Sequence, residues 1–460
     1  MPSPFHGLDL ASRALRSFQR AMDVTGHNIA NVNTRGYSRQ TVDFVQTDPT
    51  YFYNGGRQAL GTGVNIASIN RIRDMFLDSR MFTATGDQSR FGTLTAQLER
   101  IQQVYQEPGP TGLGASLDKF FNSWSGLASN PNEPAMRLQV RQSAQLLADR
   151  IRGSYAEMTG HEADLNTSVT TLFDRVDTLT KQIDTLNKEI RTQSALGAVP
   201  NDLLDQRDLA IESLGNLVPV TTVQLSDGSV NVTAAGYQTN DQSGANPIPR
   251  TFSAANQTLT DASGNVYHAR SGELAGLFQS LQQIQTSKTS LDTLANNLRT
   301  STNALHLVGT NPNGTTGVQF FGDAAVQTGA IDFDLSAAVK ADVRNISNSA
   351  TGAPGDGALA LQLSQLRSTS VVGLGNKTFS QFHADRMAAL GNDRAYFGSA
   401  LDTQMAVVDQ IENQRQAVSG VSLDDEMANL MRFQRSYQAA AKLVTMFDQS
   451  IQDLLGMLNR

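Results

Sequence analysis

Cysteine is absent from this 460-residue chain, which removes disulfides, thiolate metal sites and cysteine nucleophiles together. A basic surplus is missing too: 36 Lys and Arg stand against 43 Asp and Glu, a formal net charge of -7. Nucleic acids and anionic membrane surfaces call for a cationic face, so neither is an expected partner. The opening residues MPSPFHGLDLASRALRSF hold no uninterrupted apolar core, and no run of 18 apolar residues occurs anywhere. A membrane span and a cleaved secretory signal are therefore not expected. Proline is missing from Phe5 to Asp48, from Ala135 to Val199 and from Gly355 to Arg460. Long helices are permitted there, because an interior proline costs a helix about 3 kcal/mol.

Catalytic signatures are also scarce. The histidines, at positions 6, 27, 161, 268, 306 and 383, are dispersed. HEADL at 161–165 has Leu165 where a zinc-binding helix needs a second histidine. GLGNKT at 373–378 has Asn376 in place of the glycine before the lysine and Val371 where a phosphate loop needs its first glycine. GPTGLG at 109–114 follows a helical pattern and has its glycines in the wrong order for a dinucleotide loop. With no G-x-S-x-G elbow either, the expectation is a chain without catalytic, cofactor or metal site, and not an enzyme.

What the chain does hold is helical periodicity. Leu8, Ala11, Leu15, Phe18, Met22, Thr25, Ile29 and Val32 step by threes and fours, the pattern of a coiled-coil seam about 36 Å long. NIANVNTRGYSRQ at 28–40 closes it, with Asn33 and Gly36 suited to a left-handed helix stop. From Leu423 the same stepping gives Met427, Leu430, Gln434, Tyr437, Ala441, Val444, Asp448, Ile451, Leu455 and Leu458. Gln434 and Asp448 interrupt that stripe as candidate register-setting positions. Further stripes run through Phe91 to Tyr105, Val169 to Ile190 and Leu274 to Leu305, the spacing of a helical bundle. A lone amphipathic helix buries too little to be stable, so both terminal stripes need partners, either the chain's own bundle or identical faces on neighbouring subunits.

Two stretches break the period. Residues 219–268 alternate β-rich runs with turns at Asp227-Gly228 and Ser263-Gly264-Asn265, and 318–346 (VQFF, AIDFDL, ADVRNI) look similar. The expected fold class is mainly α with inserted β: terminal coiled-coil helices (1–60 with 412–460), a long-helix bundle body (61–218, 269–317 and 347–411) and one small outer β domain (219–268 with 318–346).

NIANVNTRGYSRQ resembles the N-terminal signature of bacterial flagellar axial proteins, and SGVSLDDEMANLMRFQRSYQAAAKLVTMFDQSIQDLLGML resembles the C-terminal helix of their rod, hook and hook-associated members. FFNSWSGLASNPNEPAMR and PNDLLDQRDLAIESLGNLVPV are similar to stretches of the hook-associated members in particular. Arg35 departs from the family pattern, standing where proline is usual, which leaves the turn less fixed in φ.

The resemblance implies an architecture in which the terminal helices pair into an inner tube, the bundle forms a middle layer and the β domain faces outward. It implies a structural subunit of a homo-oligomeric ring at the junction of hook and filament, with the flagellar hook protein on one side and a second junction protein on the other. Export through the flagellar type III apparatus without a cleaved signal, a chaperone at the C-terminal segment and an extracellular place in the flagellum follow from the same likeness. The expected assembly interface comprises Leu8, Leu15, Phe18, Met22, Asn28, Ile29, Asn31, Asn33, Gly36 and Tyr37 on the N-terminal side. On the C-terminal side it comprises Leu423, Met427, Leu430, Tyr437, Ala441, Val444, Ile451, Leu455 and Leu458. The amides of Asn28 and Asn31 are expected to be exposed in the single chain and buried against a neighbour in the ring. The alternatives are a rod or hook protein, against which the SRQ and DLLDQRD stretches count, and a secreted hydrolase on a flagellar-like scaffold, which the missing second histidine disfavours.

Overall fold

The computed structural model describes residues 5–53 and 57–458, with the side chains of 52, 53, 57, 58, 454 and 458 outside the description. Helix α1 (His6–Ala30) leads into strands β1 (Gln40–Gln46), β2 (Thr50–Tyr53), β3 (Arg57–Leu60) and β4 (Val64–Arg71). Helices α2 (Met75–Tyr105), α3 (Leu113–Ser129), α4 (Pro134–Ala195) and α5 (Asn201–Leu217) follow. Next come strands β5 (Val220–Gln224), β6 (Val230–Ala234), β7 (Tyr237–Asp241), β8 (Gly244–Ala245), β9 (Thr251–Ser253), β10 (Thr258–Thr260) and β11 (Val266–His268). The remainder is helical: α6 (Gly272–His306), α7 (Ala337–Ala341), α8 (Ala358–Gln365), α9 (Phe379–Ser419) and α10 (Leu423–Leu458), with short 3-10 turns at Val343–Asn345 and Val372–Leu374. Mainly α with inserted β is the observed class, and α4 fills the proline-free stretch from Ala135 almost to its end.

The chain divides into two compact units: residues 1–86, 175–248 and 404–460 form one, and 87–174 with 249–403 the other. This differs from the three-part division expected above, because both termini fold together with α5 and the four-stranded sheet rather than apart from them.

In the first unit α1 and α10 run antiparallel. Glu426 lies beside Asn28, and Gly7 has no room for a Cβ against the Phe447 ring. Each helix covers three heptads between these two contacts, so the facing positions are the small Gly7, Ala14 and Ala21 on α1 and Phe433, Ala440 and Phe447 on α10. Large rings over small residues let two helices approach closely. The sequence-derived seam of α10 is thereby corrected by one position. Leu430, Tyr437, Val444 and Ile451 do lie half-buried, but the alternate positions are Glu426, Phe433, Ala440 and Phe447, whereas Met427, Gln434, Asp448 and Leu455 are exposed. Gln434 and Asp448 therefore interrupt no intramolecular seam. On α1 the shift is partial: Ala11 and Thr25 of the expected stripe are buried, but so are Ala21 and Asn28 outside it, and Leu8, Leu15, Met22 and Ile29 lie half-buried on the flank.

A two-stranded ribbon, β1 paired antiparallel with β4, lies against these helices. Phe44 of β1 touches Phe18 of α1 and Phe433 of α10, with ring centroids 6.0 Å apart in each case, and Ser17 donates to the Val64 carbonyl at 3.3 Å. Strands β2 and β3 pair antiparallel with each other. Strands β5 to β8 form an antiparallel sheet in sequence order, anchored to α4 by polar side chains. Asn187 exchanges two hydrogen bonds with the backbone of Val230, at 2.9 and 3.1 Å, and Asn240 donates to the Thr180 carbonyl at 2.9 Å.

In the second unit the apolar stripes of α2 and α6 are buried along one face: Leu94, Leu98, Ile101 and Tyr105; Leu274, Leu277, Leu281, Ile284, Leu291 and Leu298. A small sheet of β9, β10 and β11 lies here as well. Residues 318–346 correct the expectation of a second β segment. The backbone N–H groups of Phe320 and Phe321 donate to Asn303 Oδ1 of α6, at 2.9 Å each, so a side chain occupies donors that a strand ladder would use. One isolated bridge, Phe321 to Leu335, remains, and a 3-10 turn at Val343–Asn345, just after α7, stands in place of the expected strand at ADVRNI. The aromatic side chains that looked β-forming instead build a core, in which Phe320 and Phe321 meet Trp124 and Phe120 at 5.1 to 6.0 Å.

Gly276 of α6 faces α2 so closely that a Cβ would stand 2.8 Å from both the Arg90 carbonyl oxygen and Thr93 Cβ. Backbone cannot swing aside as a side-chain tip can. Gly276→Ala is therefore expected to lose about 1–3 kcal/mol through overpacking, outweighing a helix-propensity gain of roughly 1 kcal/mol. A urea midpoint at or above the parent's would contradict this close approach.

Candidate functional site: the asparagine turn and its charged cradle

The turn after α1 is where the sequence motifs meet. Asn31 ends the helix: its Nδ2 donates to the His27 carbonyl at 3.0 Å and its Oδ1 accepts from Thr34 Oγ1 at 3.1 Å. The stop is thus a side-chain cap rather than a left-handed residue at Asn33, which is exposed. Gly36 does adopt the left-handed region, with φ +82, and a Cβ there would meet the Leu209 side chain at 3.4 Å.

Asn28 is 1% exposed and uses its whole amide inside the chain. Nδ2 donates to the Gln40 carbonyl at 2.9 Å and to Glu426 Oε2 at 3.0 Å. Oδ1 accepts from Tyr37 Oη at 2.7 Å and from the Gln40 N–H at 2.9 Å. The expectation that this amide is exposed in the single chain is corrected: an asparagine offers two donors and two good acceptor sites, and all are taken. Burial, reinforced by the carboxylates of Asp202, Asp205 and Glu426, pushes the Tyr37 phenol well above its ordinary value, so its hydroxyl stays a donor to Asn28.

Around this turn the DLLDQRD segment of α5 forms a cradle. Asp205 accepts from the Ser38 N–H at 2.9 Å and from Ser38 Oγ at 2.8 Å, a paired contact that holds the residue after Tyr37. Arg71, at the end of β4, bridges Asp205 at 2.9 Å and Asp208 at 2.7 Å. Arg73 joins Asp78 at 2.6 Å and reaches Asp205 and Asp208 at 3.5 Å. Burial works against the Asp208 charge, but the guanidinium groups of Arg73, Arg71 and Arg207 outweigh it and hold the carboxyl below its usual range. Glu212, one turn further along α5, receives Arg35 at 3.0 Å and Arg415 of α9 at 2.8 Å. The arginine that stands in the usual proline position therefore supplies a bond that proline has no group to make. Arg39 closes the cluster with Glu426, 2.7 Å away.

The geometry is that of a clamp. Six segments are tied by charge-assisted hydrogen bonds: the turn, the end of β4, the first turn of α2, α5, the end of α9 and the first turn of α10. Such bonds are shorter and stronger than neutral ones, and a network of this kind fixes one arrangement where apolar packing alone tolerates several. Sequence reasoning picked out NIANVNTRGYSRQ and DLLDQRD separately and missed that they bind each other. Two arginines in the first stretch and three aspartates in the second were the available signal.

The other sequence-derived interface residues fall outside this clamp. Leu423 and Met427 are exposed, as are Met431, Met446 and Met457, residues the periodicity did not select. Ala441 is half-buried, and the side chain of Leu458 lies outside the described residues. Among the described residues no group of three His, Asp or Glu side chains is placed to hold a metal ion, and no helix is long and apolar enough to cross a membrane. His161 of the HEADL stretch is bonded to Gln97 Oε1 at 2.8 Å.

Comparison with known proteins adds a family context. The descriptions "Flagella basal body rod protein", "Flagellar hook-associated protein FlgK helical domain" and "Flagellar basal body rod FlgEFG protein C-terminal" match residues 8–37, 98–321 and 412–457. The chain is 29% identical to flagellar hook-associated protein 1 of Bacillus subtilis, with 99% of each covered. It is 26% identical to that of Salmonella typhimurium, over 97% of this chain and 99% of the relative. The structure of the flagellar hook junction protein FlgK from Burkholderia pseudomallei aligns with a TM-score of 0.64 at 16% identity, over 74% of this chain and all of that one, a likeness of fold.

Proposed function

The chain belongs to the flagellar hook-associated protein 1 family, and from that premise we propose how its geometry serves a structural subunit at the junction of hook and filament. It is a building block rather than an enzyme, and its place is the bacterial flagellum. Its terminal helices enter a homo-oligomeric ring in contact with the flagellar hook protein on one face and a second junction protein on the other. It reaches that place through the flagellar type III apparatus, with a chaperone on its C-terminal segment until assembly.

One observation carries this reading. The paired helices α1 and α10 satisfy their facing sides within the chain yet leave Leu423, Met427, Met431, Met446, Leu455 and Met457 exposed on α10. Apolar residues clustered on one exposed element mark interaction surfaces, and methionine adapts to an irregular partner surface. The half-buried flank of Leu8, Leu15, Met22 and Ile29 on α1 supplies a second surface. The charged clamp has a different task, which is to fix where this helix pair leaves the body of the subunit.

Met431→Asp and Leu15→Asp test the two surfaces. Each is expected to abolish incorporation into flagella in cells while the purified subunit keeps its circular dichroism spectrum, and for Met431→Asp its unfolding midpoint too. Normal incorporation of both variants would remove these faces from the assembly interface.

A further inference from the structure

A cavity of about 290 Å³ in the second unit is lined by the first turn of α4, the loop after α6 and the loop before α8. Among the described residues Arg137 is its only charged lining residue, and Arg137 is 6% exposed. Its Nη2 donates to Asn348 Oδ1 at 2.9 Å, while its Nε has no partner and no carboxylate lies within ion-pair distance among the described residues. Burial without an offsetting carboxylate pushes the guanidinium below its ordinary value. Arg299, also buried and with an unpartnered Nε of its own, differs in its other nitrogens, which donate to the carbonyls of Gln327 and Gly329 and to Asn296 Oδ1, and in the nearby carboxylate of Asp332, which partly offsets its burial.

A second donor opens on the same space. Asn311 is 4% exposed and its Nδ2 has no partner, although its Oδ1 accepts from the N–H groups of Asn313 and Thr315 at 3.0 and 3.1 Å. That contact fixes the amide orientation, so the free atom is the donor. Asn348 is in turn held by its own donation to the Asp356 carbonyl at 3.0 Å, which leaves Arg137 positioned. Two buried donor atoms without acceptors, Arg137 Nε and Asn311 Nδ2, thus belong to side chains that line one cavity. Leaving a buried charge without a carboxylate is costly, and a buried polar atom without a partner needs an explanation, a bound ion among them.

We propose that this cavity binds a small oxyanion, a carboxylate or phosphate group, between Arg137 and Asn311. The anion completes the guanidinium as a charge-assisted pair and takes the amide hydrogens of Asn311. It arrives either as a free ion or as an acidic side chain of a neighbouring subunit, since both present the same oxygens.

Thermal unfolding of the full-length subunit in increasing inorganic phosphate or succinate, with chloride balancing ionic strength, tests this. A saturating Tm rise of roughly 2–6 °C is expected, absent in Arg137→Gln. Asn311→Asp keeps the acceptor oxygen and adds a carboxylate in place of the donor, so it is expected to raise Tm without added anion and to erase the response. No saturating rise in the parent protein, or an equal rise in Arg137→Gln, overturns the site. Junction assembly in cells carrying Arg137→Gln separates the sources: impaired assembly identifies a neighbour's carboxylate, and intact assembly identifies a free ion.

Discussion

Replacing Asp205 by alanine is expected to lower the unfolding free energy of the subunit by about 3–5 kcal/mol, the usual loss when one partner leaves a buried charge network. Asp205 is 6% exposed and does three things at once. It receives the Ser38 N–H and hydroxyl, neutralises Arg71 at 2.9 Å and shares Arg73 with Asp208. In the alanine variant the Ser38 N–H is left buried without an acceptor, and Arg71 keeps only Asp208, while Arg73 retains Asp78. Asp205→Asn keeps the shape and one acceptor oxygen, so a smaller loss of roughly 1.5–3 kcal/mol is expected. Urea denaturation of the three proteins measures the series, and a loss under 1 kcal/mol for the alanine variant would show that the clamp is not a stabilising unit.

Acidification from neutral pH is expected to remove about 3 kcal/mol of stability through His306 alone. This histidine is fully buried, between Trp124 and Phe320 at 6.3 and 5.3 Å. Its Nδ1–H donates to the Val318 carbonyl at 2.6 Å, and its Nε2 accepts from the Ser347 N–H at 2.8 Å. A second ring proton would point at that N–H. Burial lowers the folded pKa to about 4 against the Val318 contact, which raises it, whereas the unfolded value is near 6.5. Between these values the unfolded chain binds more protons, so stability falls as pH drops. The contribution is whole above about 6.5 and lost as pH falls to about 4, at roughly 1.4 kcal/mol per unit of difference. His383 shifts in the same direction by burial, opposed by Glu107, so the parent protein alone cannot assign the slope. The difference between parent and His306→Gln can: the variant should be less stable at pH 7 and show a shallower loss from 6.5 to 4. Parallel curves would exclude His306 as the source.

Much of the helical framework was legible in the sequence, because a stripe such as Leu274 to Leu298 has one possible buried face. The terminal helix was harder. Met427, Ala441 and Leu455 continue the stripe of Leu430, Tyr437, Val444 and Ile451 as well by hydropathy as Phe433, Ala440 and Phe447 do. Only the small residues of α1 that receive those rings decide between the two registers. VQFF at 318–321 failed for another reason: its strand-like composition reflects aromatic packing on Trp124, while Asn303 holds its backbone. The ribbon β1–β4 was absorbed unrecognised into the terminal helical domain, since its partners are each other and α1 rather than a larger sheet. The clamp was legible in pieces only. Asn28 and Asp205 are set by partners as distant as Glu426 and Ser38, and local spacing says nothing about which charges will meet.

The pairing of Asn28 and Arg39 with Glu426 has a consequence for the order in which the molecule can form. These contacts span 398 and 387 positions, among the longest the chain can make. Contacts of such separation carry the entropy of closing nearly the whole chain before they return anything. Until the residues around 426 arrive, the Asn28 amide lacks one acceptor and the Arg39 guanidinium lacks its carboxylate. The turn that opens the chain is thus a lock whose key is among its last parts, and a subunit lacking the final helix holds that lock open.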